Sequence, residues 1–187
     1  MKRTALIALA LLAATPALAH PGHGGGFSAG FGHPFGGLDH VLAMLAVGLW
    51  AAIRRDGAML VWPAAFVGAM IAGFGATQAG LVVPAVETMI VASVVLLGAA
   101  IAFRLVAPVL LGAAPIALFG FMHGAAHGME LAGAAMPFAM GFVLASLILH
   151  GAGIGLAVLA QRLSVLWPAR LAGTAMALTG LALAINL

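Results

Sequence analysis

The sequence predicts an all-α membrane protein of about six transmembrane helices behind a cleavable signal peptide. Three observations carry this. Of the 187 residues, 65% are hydrophobic and 6% charged, against roughly 45–50% and 25% in soluble domains. The apolar residues fall in runs of about 20, the length a bilayer core demands of a helix. The breaks between runs are short and polar or turn-forming, so successive helices must be neighbours.

Residues 1–19 read as the signal peptide. Lys2 and Arg3 form its charged start, Thr4 to Ala14 a short apolar core, and Ala17-Leu18-Ala19 a small-x-small cleavage site. A short periplasmic arm rich in histidine and glycine, 20–35, follows, and the transmembrane domain takes 36–187. Its helices are expected near 36–53, 59–78, 85–103, 107–129, 136–160 and 168–187. With His20 outside, the breaks after the first, third and fifth helices are cytoplasmic. Those breaks and their flanks hold Arg54, Arg55, Arg104, Arg162 and Arg170, every arginine of the mature chain. The outer loops hold none, as the positive-inside rule requires. Both mature termini are then periplasmic, at the bacterial cytoplasmic membrane. Trp62 and Trp167 fall near cytoplasmic helix starts, where aromatic belts belong. Gly68, Gly73, Gly112, Gly120, Gly124, Gly128, Gly151 and Gly155 lie within the spans. Several are four apart, a spacing that lets helix backbones approach closely, and tight packing is expected of most.

Composition also excludes functions. The cationic residues are scattered, so no basic patch exists to hold nucleic acid. There is no cysteine, which removes disulfides, thiol nucleophiles and thiolate metal sites. No glycine run has the form of a phosphate loop. The polar chemistry left is seven histidines with Asp39, Asp56, Glu87 and Glu130.

Ionisable side chains in a membrane span are costly and are functional candidates by default. Two clusters stand out, both at outer helix ends. One runs from His33 through Pro34, Gly36 and Gly37 to Asp39 and His40. The other is His123-Gly124-Ala125-Ala126-His127-Gly128-Met129-Glu130. Residues 123, 127 and 130 share one helix face, so two imidazoles and a carboxylate can converge on one ion. Imidazole suits zinc, copper, iron and nickel. Asp39 and His40 are adjacent, so they diverge by about 100° on a regular helix. One of them can point at an ion while Asp39 orients the histidine. His33 precedes the helix, and Pro34 with the two glycines could fold it back over the site. Weaker candidates are His150, for which packing and a pathway role are equally open, Glu87 as an interfacial carboxylate, Met44 one turn below His40, and His20 and His23 on the arm. Asp56 sits among arginines in a turn and needs no function.

The two motifs resemble the signatures of the HupE/UreJ family of bacterial nickel and cobalt permeases. The signal peptide, span number and size agree as well, so the resemblance covers essentially the whole chain. It implies uptake of nickel or cobalt as transported substrate with no prosthetic group, a functional link to hydrogenase or urease maturation, and service to the metal by His33, Asp39, His40, His123, His127 and Glu130. His150-Gly151 lacks a second histidine-bearing run before it, which leaves a ligand role for His150 open. The expected partners are a divalent metal ion and the bilayer, with a homo-oligomer compatible. No nucleotide site is visible, so transport would be passive or driven by the membrane potential. The rival readings are an intramembrane zinc-dependent hydrolase, with Glu130 as general base, and a structural membrane accessory protein.

Overall fold

A computed structural model describes residues 26–187 apart from 55, 132, 166 and 186. The signal peptide, His20, His23 and Arg55 lie outside the described residues. Within them the chain is helical and forms seven helices: α1 (Phe27–Gly36), α2 (Leu38–Arg54), α3 (Ala58–Gln78), α4 (Val86–Ala102), α5 (Val109–Met129), α6 (Ala135–Arg162) and α7 (Trp167–Ala184). Each of the six segments expected to be helical is a helix, with ends shifted by three residues at most. α3, α5 and α6 are long and apolar enough to cross a membrane, and the bent pair α1–α2 passes the same test when taken together. α4 is a shorter apolar helix of 17 residues, about 26 Å at 1.5 Å per residue. Outward faces carry leucines such as Leu60, Leu110, Leu156 and Leu178, which suits a lipid solvent.

Residues 27–36, read from the sequence as part of an arm, form helix α1. It meets α2 at 86°. The break falls at Gly37, whose backbone is extended. Two consecutive glycines weaken the helix there, and there is no room for a side chain. A Cβ on Gly37 would lie 2.6 Å from Asp39 Oδ1 and 3.0 Å from His40 Nδ1. α1 then packs on the first turns of α6, with Gly30 against the Phe138 backbone and Gly141 against that of Phe27.

Glycines set the remaining contacts. Gly120 and Gly124 of α5 seat on the backbone carbonyls of Phe66 and Met70 of α3, and Gly128 seats on Thr77. The residue numbers rise together on the two helices, so α3 and α5 run parallel in close contact. Gly48 of α2 and Gly153 of α6 seat on each other's helices in the same way, at His150 and Leu45. α4 and α7 pack antiparallel through Gly98 and Gly173. Gly73 and Gly112 also fill tight contacts, but a Cβ on Gly68, Gly151 or Gly155 would meet nothing. Those three are therefore not packing glycines.

The helices segregate two kinds of end. At one end stand Arg54, Arg104, Arg162 and Arg170. Arg170 Nε donates to the Ala102 carbonyl at 3.2 Å and Gln161 Nε2 to the Ala52 carbonyl at 2.9 Å. The Arg54 guanidinium bonds the Asp56 carboxylate and holds it below the usual carboxylate range. Trp62 departs from the expected belt position. It is fully buried, donates Nε1 to the Val109 carbonyl at 2.7 Å, and packs on Trp50 with ring centres 4.4 Å apart. Trp50 donates to the Leu105 carbonyl at 3.0 Å. The two indoles satisfy loop carbonyls and tie the α4–α5 connection to α2 and α3. Trp167 remains half exposed.

Candidate metal site

The opposite end gathers the histidines. α2 supplies Asp39 and His40 in its first turn. Asp39 Oδ1 accepts from the His40 backbone N–H at 2.7 Å and lies 2.9 Å from His40 Nδ1. The sequence reading gave Asp39 the part of orienting the histidine. Asp39 folds back onto the imidazole, placing the Nδ1 proton on the carboxylate side and leaving Nε2 as the lone-pair nitrogen. This is the arrangement in which a carboxylate fixes the tautomer and raises the basicity of a ligand histidine. His40 is buried, and its Nε2 has no hydrogen-bond partner among the described residues.

α5 supplies His123 and His127, one turn apart and both fully buried. His123 Nδ1 is 2.8 Å from the Phe119 carbonyl. A carbonyl only accepts, so Nδ1 carries the proton and Nε2 again holds the free lone pair. Neither nitrogen of His127 is partnered. Its ring stacks on Phe142 at 4.7 Å and 18°. Buried polar groups are normally paired. Three imidazoles with unpaired nitrogens at one place call for a ligand.

Their spacing suits one. The His40 ring centre lies 4.9 Å from that of His123 and 5.1 Å from that of His127. Two imidazoles on one ion at right or tetrahedral angles would have ring centres about 4.6–5.3 Å apart, given metal–nitrogen bonds near 2.1 Å. The ring orientations are a different matter. Among the described residues no three of these side chains are already set to hold an ion. The His40 and His123 rings meet edge to face, and the His40 and His127 rings are tilted at 55°.

His33 and Glu130 close this end. α1 brings His33 back over the site, with its ring centre 4.8 Å from that of His127. Its Nε2 is 2.8 Å from Glu130 Oε2. This hydrogen bond keeps the Glu130 carboxyl below its usual range. All six residues singled out in the two motifs are thus brought to one place. The weaker candidates separate. Glu87 is exposed in the first turn of α4, where a carboxylate suits a helix N-terminus, and none of the histidine contacts involves it. Met44 is fully buried in the core. His150 is buried farther along the bundle and packs on Phe66, whose ring centre is 5.1 Å from His150 and 5.2 Å from His123. The aromatic lining of Phe66, Phe138 and Phe142 carried no signal in the sequence, because a phenylalanine in an apolar helix reads like its neighbours.

The sequence matches a family described as HupE / UreJ protein over residues 7–183. It is 41% identical to Protein HupE of Rhizobium leguminosarum bv. viciae, over 98% of this chain and 96% of that one. No solved structure matches it. With the family's pattern running through nearly every element described above, the chain belongs to the HupE/UreJ family.

Proposed function

We propose that this protein carries a divalent transition-metal ion, nickel or cobalt, inward across the bacterial cytoplasmic membrane. In this reading α2 to α7 are the six spans, the histidine end is periplasmic and the arginine end cytoplasmic. One observation supports it above the rest: the unpaired nitrogens of His40, His123 and His127 lie together at imidazole-ligand spacing.

The chemistry follows from the residues. A hydrated ion meets His33 and Glu130 first. It exchanges water for the Nε2 atoms of His40 and His123 and a nitrogen of His127. Asp39 and Glu130 lower the cost of a double positive charge in a poorly polarisable interior. Asp39 acts through His40, whose lone pair it strengthens. A membrane potential negative inside favours the step by about 2.3 kcal/mol per charge per 100 mV, hence about 4.6 kcal/mol for a divalent ion. The hydrolase alternative needs Glu130 free as a general base, and His33 holds it. A link to hydrogenase or urease maturation fits such a supply of nickel.

The test is nickel-63 uptake by whole cells. His123→Ala and Asp39→Ala are expected to reduce uptake to background at unchanged protein level in the membrane. Uptake equal to wild type in both variants overturns the proposal.

A further inference from the structure

His150 repeats the chemistry of His123 on a different helix and at a different depth. Its Nδ1 is 2.7 Å from the carbonyl of Ser146, one turn back on α6. His123 makes the same bond to Phe119 on α5. The consequence is the same in each. The proton sits on Nδ1, the lone pair on Nε2, and Nε2 has no partner among the described residues. Both rings pack against Phe66, with ring centres 5.2 Å away for His123 and 5.1 Å for His150. A single phenylalanine therefore touches two imidazoles of identical tautomer.

The depth is fixed by α2. Gly48 seats on the His150 backbone, eight residues past His40, or about 12 Å along the helix axis. Around His150 the donors change character. Ser146 Oγ donates to the Phe142 carbonyl at 2.7 Å and lies 3.7 Å from Met70 Sδ. Both side chains are fully buried. No carboxylate is near: Asp39 and Glu130 belong to the first site, Asp56 to the arginine end, and Glu87 to the exposed first turn of α4.

We propose that His150 is a second metal station, which receives the ion from His123 through its Nε2, with the Met70 thioether and the Ser146 hydroxyl as its neighbours. The station rests on the permease reading given above. An imidazole with a thioether takes borderline first-row cations and passes over magnesium and calcium, which need oxygen ligands. Without a carboxylate it holds a divalent ion more weakly than the first site. Conduction requires such a site, since an ion must leave as readily as it arrives.

The experiment pairs two readouts on the full-length protein. One is nickel-63 uptake. The other is cobalt(II) binding in detergent, followed by its visible absorption, which reports the first site. His150→Leu is expected to bind cobalt at the first site within twofold of wild type and to lose uptake at least tenfold. His150→Cys, which restores a donor, is expected to recover at least a third of the uptake and to shift preference towards cadmium. Wild-type uptake in His150→Leu, with uptake abolished in His123→Ala, overturns the station and leaves the permease reading standing. Loss of uptake in His150→Leu and His150→Cys alike, with cobalt binding lost in both, shows a packing role and also overturns it. Wild-type uptake in both His150→Leu and His123→Ala removes the permease reading together with the station.

Discussion

The histidine end and the arginine end of this bundle are built on opposite rules. At the arginine end the buried aromatic donors are spent. Trp50 gives its N–H to the Leu105 carbonyl in the α4–α5 connection at 3.0 Å, Trp62 gives its own to the Val109 carbonyl at the start of α5 at 2.7 Å, and the two rings pack at a 45° tilt. At the histidine end the buried nitrogens are withheld. His40 and His123 commit one nitrogen to an internal acceptor and keep the other, while His127 keeps both. An unpaired buried polar group costs roughly 1–3 kcal/mol. One end thus spends its polar atoms on stability, and the other leaves buried nitrogens without a hydrogen bond among the described residues.

The contrast can be broken by mutation. The largest effect is expected from Asp39→Asn, which keeps the size of the side chain and removes the charge on His40. Cobalt affinity in detergent should fall 10–100-fold, as for other partners that orient metal ligands, with the melting temperature unchanged. A fall in stability with affinity intact would make the histidine end structural after all. A smaller effect of opposite kind is expected from Trp62→Phe. It removes the indole hydrogen bond to the Val109 carbonyl and should cost about 1 kcal/mol of stability, with uptake per folded molecule at the wild-type level. Reduced uptake per folded molecule would place the tryptophan pair in the transport path.

The smallest effect belongs to the His33–Glu130 contact, which is half exposed and screened by solvent. The Glu130 carboxyl is held below its usual value of 4.5. The contact therefore contributes fully above that value and is lost as pH falls through the lowered one. Glu130→Gln should abolish this acid-side loss while changing stability by only a few tenths of a kcal/mol near neutral pH. Thermal melts of wild type and variant from pH 7 to pH 3 would show it. Parallel curves would mean that Glu130 does not carry the acid response.

Much of the candidate site was legible because its residues repeat at helical spacing. His123 and His127 are one turn apart, and only one face can hold both. Asp39 beside His40 already suggested a carboxylate that orients the histidine. The glycines four apart on α5 foretold a close helix contact, but not that its partner is α3. Other features were hidden for a physical reason. Gly68 and Gly124 both lie inside apolar helices and both precede an alanine, yet only Gly124 meets a neighbouring backbone. Trp62 starts a helix as Trp167 does, yet one is buried and the other half exposed.

The sequence by itself determined that this chain is helical and largely lipid-facing, that its arginines and histidines sit at opposite helix ends, and that its ionisable groups concentrate there. Composition and periodicity suffice for that, since each is a property of single helices. Only the tertiary structure decided that α1 turns through 86° to lay His33 on Glu130, that Trp62 is buried at the arginine end, and that Phe66 touches both His123 and His150. Those facts depend on which helices become neighbours and at what rotation. That choice is made by backbone contact at a few glycines between segments far apart in the chain, where no local pattern reaches.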